Sequence, residues 1–411
     1  MRASDSEGPQ STRKEERTVL IWMCVLIAVN QLGFGAVIPV LPLYAQSFGV
    51  SQAAIGSTVA IYGLARLFTA VPAGRIADLV GRRSALAIGG VISAGGNLWC
   101  AYATTFAELV TARFVAGLGA GLTLTAGMIV LADITTTARR GRVMAIYQGV
   151  FLFAVGIGPL PGGYLAEQFG LHVPFLVYAL GSALAALVAW FGVAETRPVI
   201  LSSAAAADRP MPYRDQLRAI LTSTGFRLVS TIGFVSALAR TGALFSIVPL
   251  IGTAQLQLSA TQVGLSMAVG SIVGLLFTYP AGVLVDRFGR KPVIVPTTIG
   301  TGLAFLLYGM APSFAWFLAA STVWGIASSA SGSAPAAYAA DIAPREHTAT
   351  AMSTFRGLSD AGYVIGPILL GAIADGLGMS TALMAVSALL ITIALLFAAR
   401  APETHVAGEA G

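Results

Sequence analysis

The sequence predicts an all-α membrane protein of twelve transmembrane helices in two pseudo-symmetric six-helix halves, and three observations lead there. Only 10% of the 411 residues are charged while 56% are apolar, against roughly 25% charged in soluble domains. The apolar residues gather in runs of about 20, the length a helix needs to cross the hydrocarbon core. Shifted by 208 residues, the chain also matches itself without a gap from Ser51/Ser259 to Gly170/Gly378. The pairs include Gly56 with Gly264, Pro72 with Pro280, Asp78 with Asp286, Arg82 with Arg290, Asp133 with Asp341, Pro159 with Pro367 and Gly163 with Gly371. Because the shared residues are mostly Gly, Pro and Asp around apolar runs, the duplication preserves helix packing and loop chemistry. Two like membrane halves are an arrangement able to build one site that opens to either side.

In chain order, a polar tail at 1–17 leads into a first span at 18–46. That span is too long for a signal-peptide core, so it is expected to stay in the mature chain. Spans at 52–76, 84–103, 106–132, 142–167 and 173–194 complete a first half over 18–194. The connector at 195–225, with an alanine run at 204–207 followed by Asp208, Arg209, Pro210, Arg214, Asp215 and Arg218, reads as a solvated linker carrying a short amphipathic helix. The second half, 226–400, holds spans at 226–254, 259–284, 292–311, 314–338, 349–375 and 379–400, and a tail at 401–411 closes the chain.

The positions of the basic residues set the topology. Of the 24 Lys and Arg, Arg66, Arg113, Arg240 and Arg356 fall well inside spans, and the other 20 fall in the tails, in the even-numbered loops or at the span ends next to them. The odd-numbered loops hold no basic residue and carry Glu108, Glu167 and Asp375 at their edges. The positive-inside rule then predicts a multi-pass protein of the inner (plasma) membrane with both termini and the connector cytoplasmic. The net charge of +6 is thereby explained as topology, and no nucleic-acid partner is expected. Only two of the basic residues are Lys, and Ala and Gly are heavily used, which suggests a GC-rich bacterial genome. Cys24 and Cys100 lie mid-span without a pairing pattern, and His172, His347 and His405 are scattered over separate loops. Neither a disulfide framework nor a metal site is implied, and no cofactor is expected.

Two basic turns repeat across the halves. After the second span the chain reads Gly74-Arg75-Ile76-Ala77-Asp78-Leu79-Val80-Gly81-Arg82-Arg83, and after the eighth Gly282-Val283-Leu284-Val285-Asp286-Arg287-Phe288-Gly289-Arg290-Lys291. Glycine lets the backbone turn and a neighbouring helix come close, and an aspartate there can pair with a basic residue or a helix N-terminus. These segments resemble the loop signature of the major facilitator superfamily, in both halves, and the resemblance extends over about residues 18–400. It implies the major facilitator fold and a cytoplasmic latch formed by Asp78, Arg82, Asp286 and Arg290 that stabilises the outward-open state.

The fourth span carries Arg113-Phe114-Val115-Ala116-Gly117-Leu118-Gly119-Ala120-Gly121, similar to the superfamily's signature of a buried arginine followed by spaced glycines. The glycines suit backbone-to-backbone helix packing, whereas an intramembrane arginine normally faces a partner or a wet cavity. The fifth span's Gly158-Pro159-Leu160-Pro161-Gly162-Gly163 resembles the core of the motif associated with drug:proton antiporters, whose Gly-Pro and Gly-Gly pairs bend the helix and allow close packing. The match is partial, since Ala145 and Ala154 stand where the fuller pattern has glycine. The first span, with its run from Gly33 to Pro42, also resembles the twelve-helix drug:proton antiporter group.

Proton coupling needs a titratable group within the membrane, and among the acids only Asp360 lies well inside a span, roughly 16 Å from its start at 1.5 Å per residue. Arg356 precedes it by one turn, so the two can meet at i, i+4. Such a pair is either the coupling site or a structural salt bridge, and sequence leaves both open. Asn30 and Gln31 stand in the first span where many antiporters of this group carry an acid; with Tyr147 and Gln148 they are candidates to line a cavity. Arg66, Arg113 and Arg240 are further cavity candidates, and facing inward they would favour anionic or neutral compounds. The resemblance thus implies proton-coupled efflux of a small amphiphilic or drug-like compound by a monomer, driven by the proton gradient. The alternative is proton-coupled import of an organic anion or sugar. No catalytic constellation points to an enzyme, and the glycines after Arg113 follow no strand, unlike a nucleotide loop.

Overall fold

The computed structural model of the chain describes residues 9–135, 137–196, 213–331, 333–344 and 348–403. Its helices in the first repeat are α1 (Pro9–Val37), α2 (Leu41–Gln46), α3 (Gln52–Val80), α4 (Arg82–Ala101), α5 (Phe106–Asp133), α6 (Thr137–Ile157), α7 (Pro159–Phe169) and α8 (Val173–Gly192). Then follow α9 (Tyr213–Thr222) and α10 (Thr224–Leu238), which runs through a π-helical segment (Ala239–Ile247) into α11 (Val248–Ala254). The second repeat continues with α12 (Ala260–Phe288), α13 (Lys291–Gly309), α14 (Phe314–Ser328), α15 (Ser333–Ile342), α16 (Thr348–Leu377) and α17 (Met379–Arg400).

Eleven helices among the described residues are long and apolar enough to cross a membrane. The predicted tenth span is divided into α14 and α15 by a turn at 329–331, where Ser329 and Ser331 fold their hydroxyls back onto the carbonyls of Ile326 and Ser328. Pro335, in the first turn of α15, is tolerated there but could not continue a helix bond back to residue 331. The first predicted span is likewise interrupted, at 38–40 beside Pro39, before α2. Two other boundaries move outward: α3 runs to Val80 and α12 to Phe288, so most of each basic signature is helix and the turn itself is Gly81 alone in the first and Gly289 with Arg290 in the second.

Local chemistry explains the starts. Thr105 accepts a hydrogen bond from the Glu108 N–H at 3.2 Å while Glu108 accepts one from the Thr105 N–H at 3.3 Å, a capping box that opens α5. Ser259 and Gln262 form the same device at α12. Ser223 and Ser313 cap α10 and α14.

The described residues form two compact units, one within Met1–Val37, Leu64–Gly158 and His172–Ser203, the other within Ile38–Gly63, Pro159–Leu171 and Ala204–Gly411. The first is centred on Met23, Leu26, Leu86, Leu122, Leu131 and Tyr147. In the second, Phe226, Ile294, Tyr338 and Phe397 form a core, with Tyr338 and Phe397 packed edge to face at 5.0 Å. Large apolar side chains such as Leu187, Phe191, Leu276 and Tyr279 are exposed, as expected of surfaces solvated by lipid tails.

Candidate functional site

At the Arg82 end of the first unit, α3 and α4 are separated by Gly81 alone, whose φ of +91° is open to glycine and strained for other residues. The geometry delivers Arg82 to two acids: Nη1 lies 2.8 Å from Asp78 and Nε 2.9 Å from Asp133. The start of α4 has no cap of its own, and the Glu195 carboxylate supplies one, accepting from the Arg82 N–H at 2.9 Å and the Arg83 N–H at 3.3 Å. A carboxylate on orphan N–H groups at a helix start is stabilised by hydrogen bonding and by the helix dipole. Arg83 stacks over Trp190 at 4.7 Å.

The second unit repeats the cluster at the same 208-residue offset. Gly289 has φ +94°, Arg290 Nε lies 2.8 Å from Asp341, and Glu403 accepts from the Arg290 and Lys291 N–H groups at 3.2 and 3.1 Å. Lys291 also donates to the Ala401 carbonyl at 2.8 Å. Of the residues predicted to act together here, Asp78, Arg82 and Arg290 are in charge clusters, while the Asp286 side chain lies outside the described residues. Gly74 and Gly282 depart from expectation. A Cβ at either would meet no neighbour, so no helix is packed against them.

The opposite end of the second unit carries a different pair of contacts, again at offset 208. Asp375 at the end of α16 accepts from the first N–H groups of α3, at 2.7 Å from Gln52 and 2.9 Å from Ala53. Glu167 at the end of α7 accepts from the Thr261 N–H of α12 at 3.2 Å. Just inside these caps the backbones touch. A Cβ at Gly56 would strike the Pro367 carbonyl, one at Gly264 the Pro159 carbonyl, and one at Gly371 would lie 2.5 Å from the Gln52 carbonyl. Gly163 similarly faces the Ala260 carbonyl, and Gly162 is buried. The expected bend also appears, since α6 ends at Ile157 and α7 begins at Pro159, with Gly158 set against Gly35 of α1 so closely that a Cβ would lie 2.7 Å from its Cα.

The interior candidates separate into packed and accessible groups. Asn30 is buried and donates to Ser182 at 3.4 Å, and Ser182 meets Ser93 at 3.1 Å, so Asn30 joins a helix-packing network. Gln31 and Arg113 are buried too, Arg113 beside Cys100. Tyr147 is buried with its hydroxyl lacking a hydrogen bond among the described residues, while Gln148 is exposed. Arg66 is half-buried on α3, whose backbone runs against Gly121 of α5. Asp360 is half-buried near the middle of α16 and Arg356, one turn earlier, is exposed.

Arg240 is placed differently from all of these. It sits at the start of the π segment, exposed, and its Nη2 donates to Ser331 at 3.3 Å, in the turn between α14 and α15. The other residues that sequence reasoning left unassigned, Asp133 and Asp341, Glu195 and Glu403, Glu167 and Asp375, share one signal: each pair obeys the 208-residue offset. Ser331 has no such signal.

The Major Facilitator Superfamily model matches residues 23–250 and 229–410. An uncharacterized MFS-type transporter of Methanocaldococcus jannaschii is 24% identical over 375 residues, covering 89% of this chain and 93% of that protein. The class C tetracycline resistance protein of Escherichia coli is 28% identical over 320 residues, covering 72% of this chain and 75% of that protein. The crystal structure of the nucleoside transporter NupG matches with a TM-score of 0.75 at 16% identity, over 93% of this chain and 98% of that one, a likeness of fold.

Proposed function

This chain belongs to the Major Facilitator Superfamily and is a multi-pass membrane transporter of small molecules, and from that premise we propose that it exports an amphiphilic compound in exchange for protons by alternating access. The Arg82 and Arg290 clusters lie on the cytoplasmic side, with both termini, by the distribution of basic residues. The Glu167 and Asp375 caps then lie on the outer side. Apart from the buried Arg82 guanidinium, each set consists of exposed or partly exposed charge contacts on helix ends, which can break and re-form in water without carrying a charge through lipid.

The observation that carries proton coupling is Asp360, a half-accessible carboxyl near the middle of a membrane-crossing helix. Likeness to a tetracycline resistance protein over most of the chain supports export. Purified protein in liposomes with an internal pH-sensitive dye tests both. A compound that drives proton flux through the wild type but not through Asp360→Asn supports the assignment. Equal flux in both would remove Asp360 from coupling, and substrate movement without proton flux would end the antiporter assignment. A second reading, import of an organic anion or sugar with protons, draws on the positive charge of Arg240; substrate accumulating with the proton gradient instead of against it would favour that reading.

A further inference from the structure

Two membrane helices of the second unit lose their regular α geometry, and they do so at the same place. In one, residues Ala239–Ile247 form a π segment in which the Ser246 hydroxyl donates to the Thr241 carbonyl, five residues back, at 2.9 Å. In the other, the chain turns at 329–331 between α14 and α15. Arg240 of the first donates to Ser331 of the second at 3.3 Å. Irregular backbone at membrane depth leaves carbonyls and N–H groups without helix partners, which is tolerated where it is buried in protein or lines a wet cavity. Arg240 points to the wet case, because its side chain is exposed at this depth while it reaches across to Ser331 on the other irregular helix.

The guanidinium there is incompletely matched. It offers five donors and a permanent charge, while its hydrogen-bond partner is a neutral hydroxyl, and among the described residues it makes no ion pair. A cation kept in such a place without a carboxylate is normally functional. The neighbouring wall is aromatic. Tyr363 of α16 accepts the Thr241 hydroxyl on its carbonyl at 3.0 Å, and its ring lies on Gly63 of α3, where a Cβ would come within 2.6 Å of the ring. Gly362 and Gly366 on either side bring α16 onto the backbone of α10, holding that wall in place.

Resting on the transport reading above, the geometry points to Arg240 and Ser331 as the binding site for a carboxylate of the transported compound, with Tyr363 against its apolar part. The substrate class is thus an aromatic or otherwise amphiphilic organic acid, in preference to an organic cation. A carboxylate completes the guanidinium's bidentate fork, and the Ser331 hydroxyl, which here donates to the Ser328 carbonyl, would turn its proton to the carboxylate.

Three compounds with one ring system test this: 2-naphthoate, 2-naphthamide and 2-naphthylmethylammonium, titrated calorimetrically into the purified full-length protein. The wild type should bind the naphthoate most tightly. Arg240→Gln should weaken naphthoate binding by about 10- to 100-fold and leave naphthamide within about twofold, which also shows that the variant is folded. Arg240→Lys should fall between, keeping the charge but losing the fork, and Ser331→Ala should lose a few-fold. Equal wild-type binding of the three, no naphthoate binding up to millimolar concentration, or a loss in Arg240→Gln shared by all three overturns the site. Transport of the same compounds separates this from the exporter assignment. Proton-coupled movement of the ammonium compound, unaffected by Arg240→Gln, keeps the exporter and removes the anion site. Naphthoate binding that needs Arg240, with uptake in place of export, keeps the site and removes the exporter.

Discussion

Replacing Asp375 by asparagine removes the charge from a carboxylate that holds two first-turn N–H groups of α3, at 2.7 and 2.9 Å. The asparagine amide keeps one acceptor oxygen and presents an NH2 to the second N–H, so one of the two hydrogen bonds is lost as well. The site is exposed, which keeps the dipole contribution within about 0.3–1 kcal/mol and screens the charge. With the lost hydrogen bond at the low end of its range, the capped arrangement should weaken by about 1 kcal/mol. That corresponds to about a fivefold rise in the uncapped population. Hydrogen–deuterium exchange in lipid nanodiscs reads it directly, as about fivefold faster exchange at Gln52 and Ala53 with no change along α13. Glu167→Gln should act in the same direction on Thr261, and the double variant should be additive because the two caps share no atoms. Unaltered exchange at Gln52 and Ala53 would show that the carboxylate does not hold this end of α3, and the outer caps would lose their place in the transport cycle.

Arg82→Ala would leave the largely buried Asp133 carboxylate without its ion pair and should destabilise the first unit by about 2–3 kcal/mol, visible as a lowered melting temperature in detergent. Asp78→Asn, at a side chain 67% exposed, should leave that temperature nearly unchanged and lower transport in liposomes; unaltered transport would count against a latch. Gly163→Ala places a methyl against the Ala260 carbonyl and should reduce transport while the inserted amount of protein stays constant, as judged by membrane immunoblot. Ser321→Ala removes the hydroxyl shared by Ser266 at 2.5 Å and Tyr308 at 2.7 Å, and about 1–3 kcal/mol of stability should go with it.

Much of the fold was legible because its causes are local. Runs of apolar residues form helices in lipid, where no other open structure satisfies the backbone, and the caps at Thr105 and Ser259 fall where short-range signals place them. The duplication was legible as spacing, and it pointed to the repeated turns at Gly81 and Gly289. Other elements were hidden. The helical continuation through Asp78 to Val80 ran past the predicted boundary because the charged face of a helix end looks like a loop in composition alone. The Arg356–Asp360 bridge was drawn from spacing, which permits a contact but does not orient either side chain. Asn30 stood out as polar in an apolar span, and its partner Ser182, 152 residues away, could not be read from spacing.

By itself, the sequence determined what is periodic, compositional or repeated: membrane helices, their sidedness by charge, two homologous halves, and acids and arginines recurring 208 residues apart. Tertiary structure alone decided which of those groups meet. That Glu195 closes the start of α4, that Asp375 closes the start of α3, and that Arg240 reaches Ser331 are contacts across 91 to 323 residues of chain. Such contacts depend on how helices pack, and on irregularities such as the π segment whose sequence differs little from that of a regular helix. Intrinsic propensities separate those states by too little to be read from residue types, whereas the close packing at Gly242, where a Cβ would lie 2.5 Å from the Gly366 carbonyl, selects one of them.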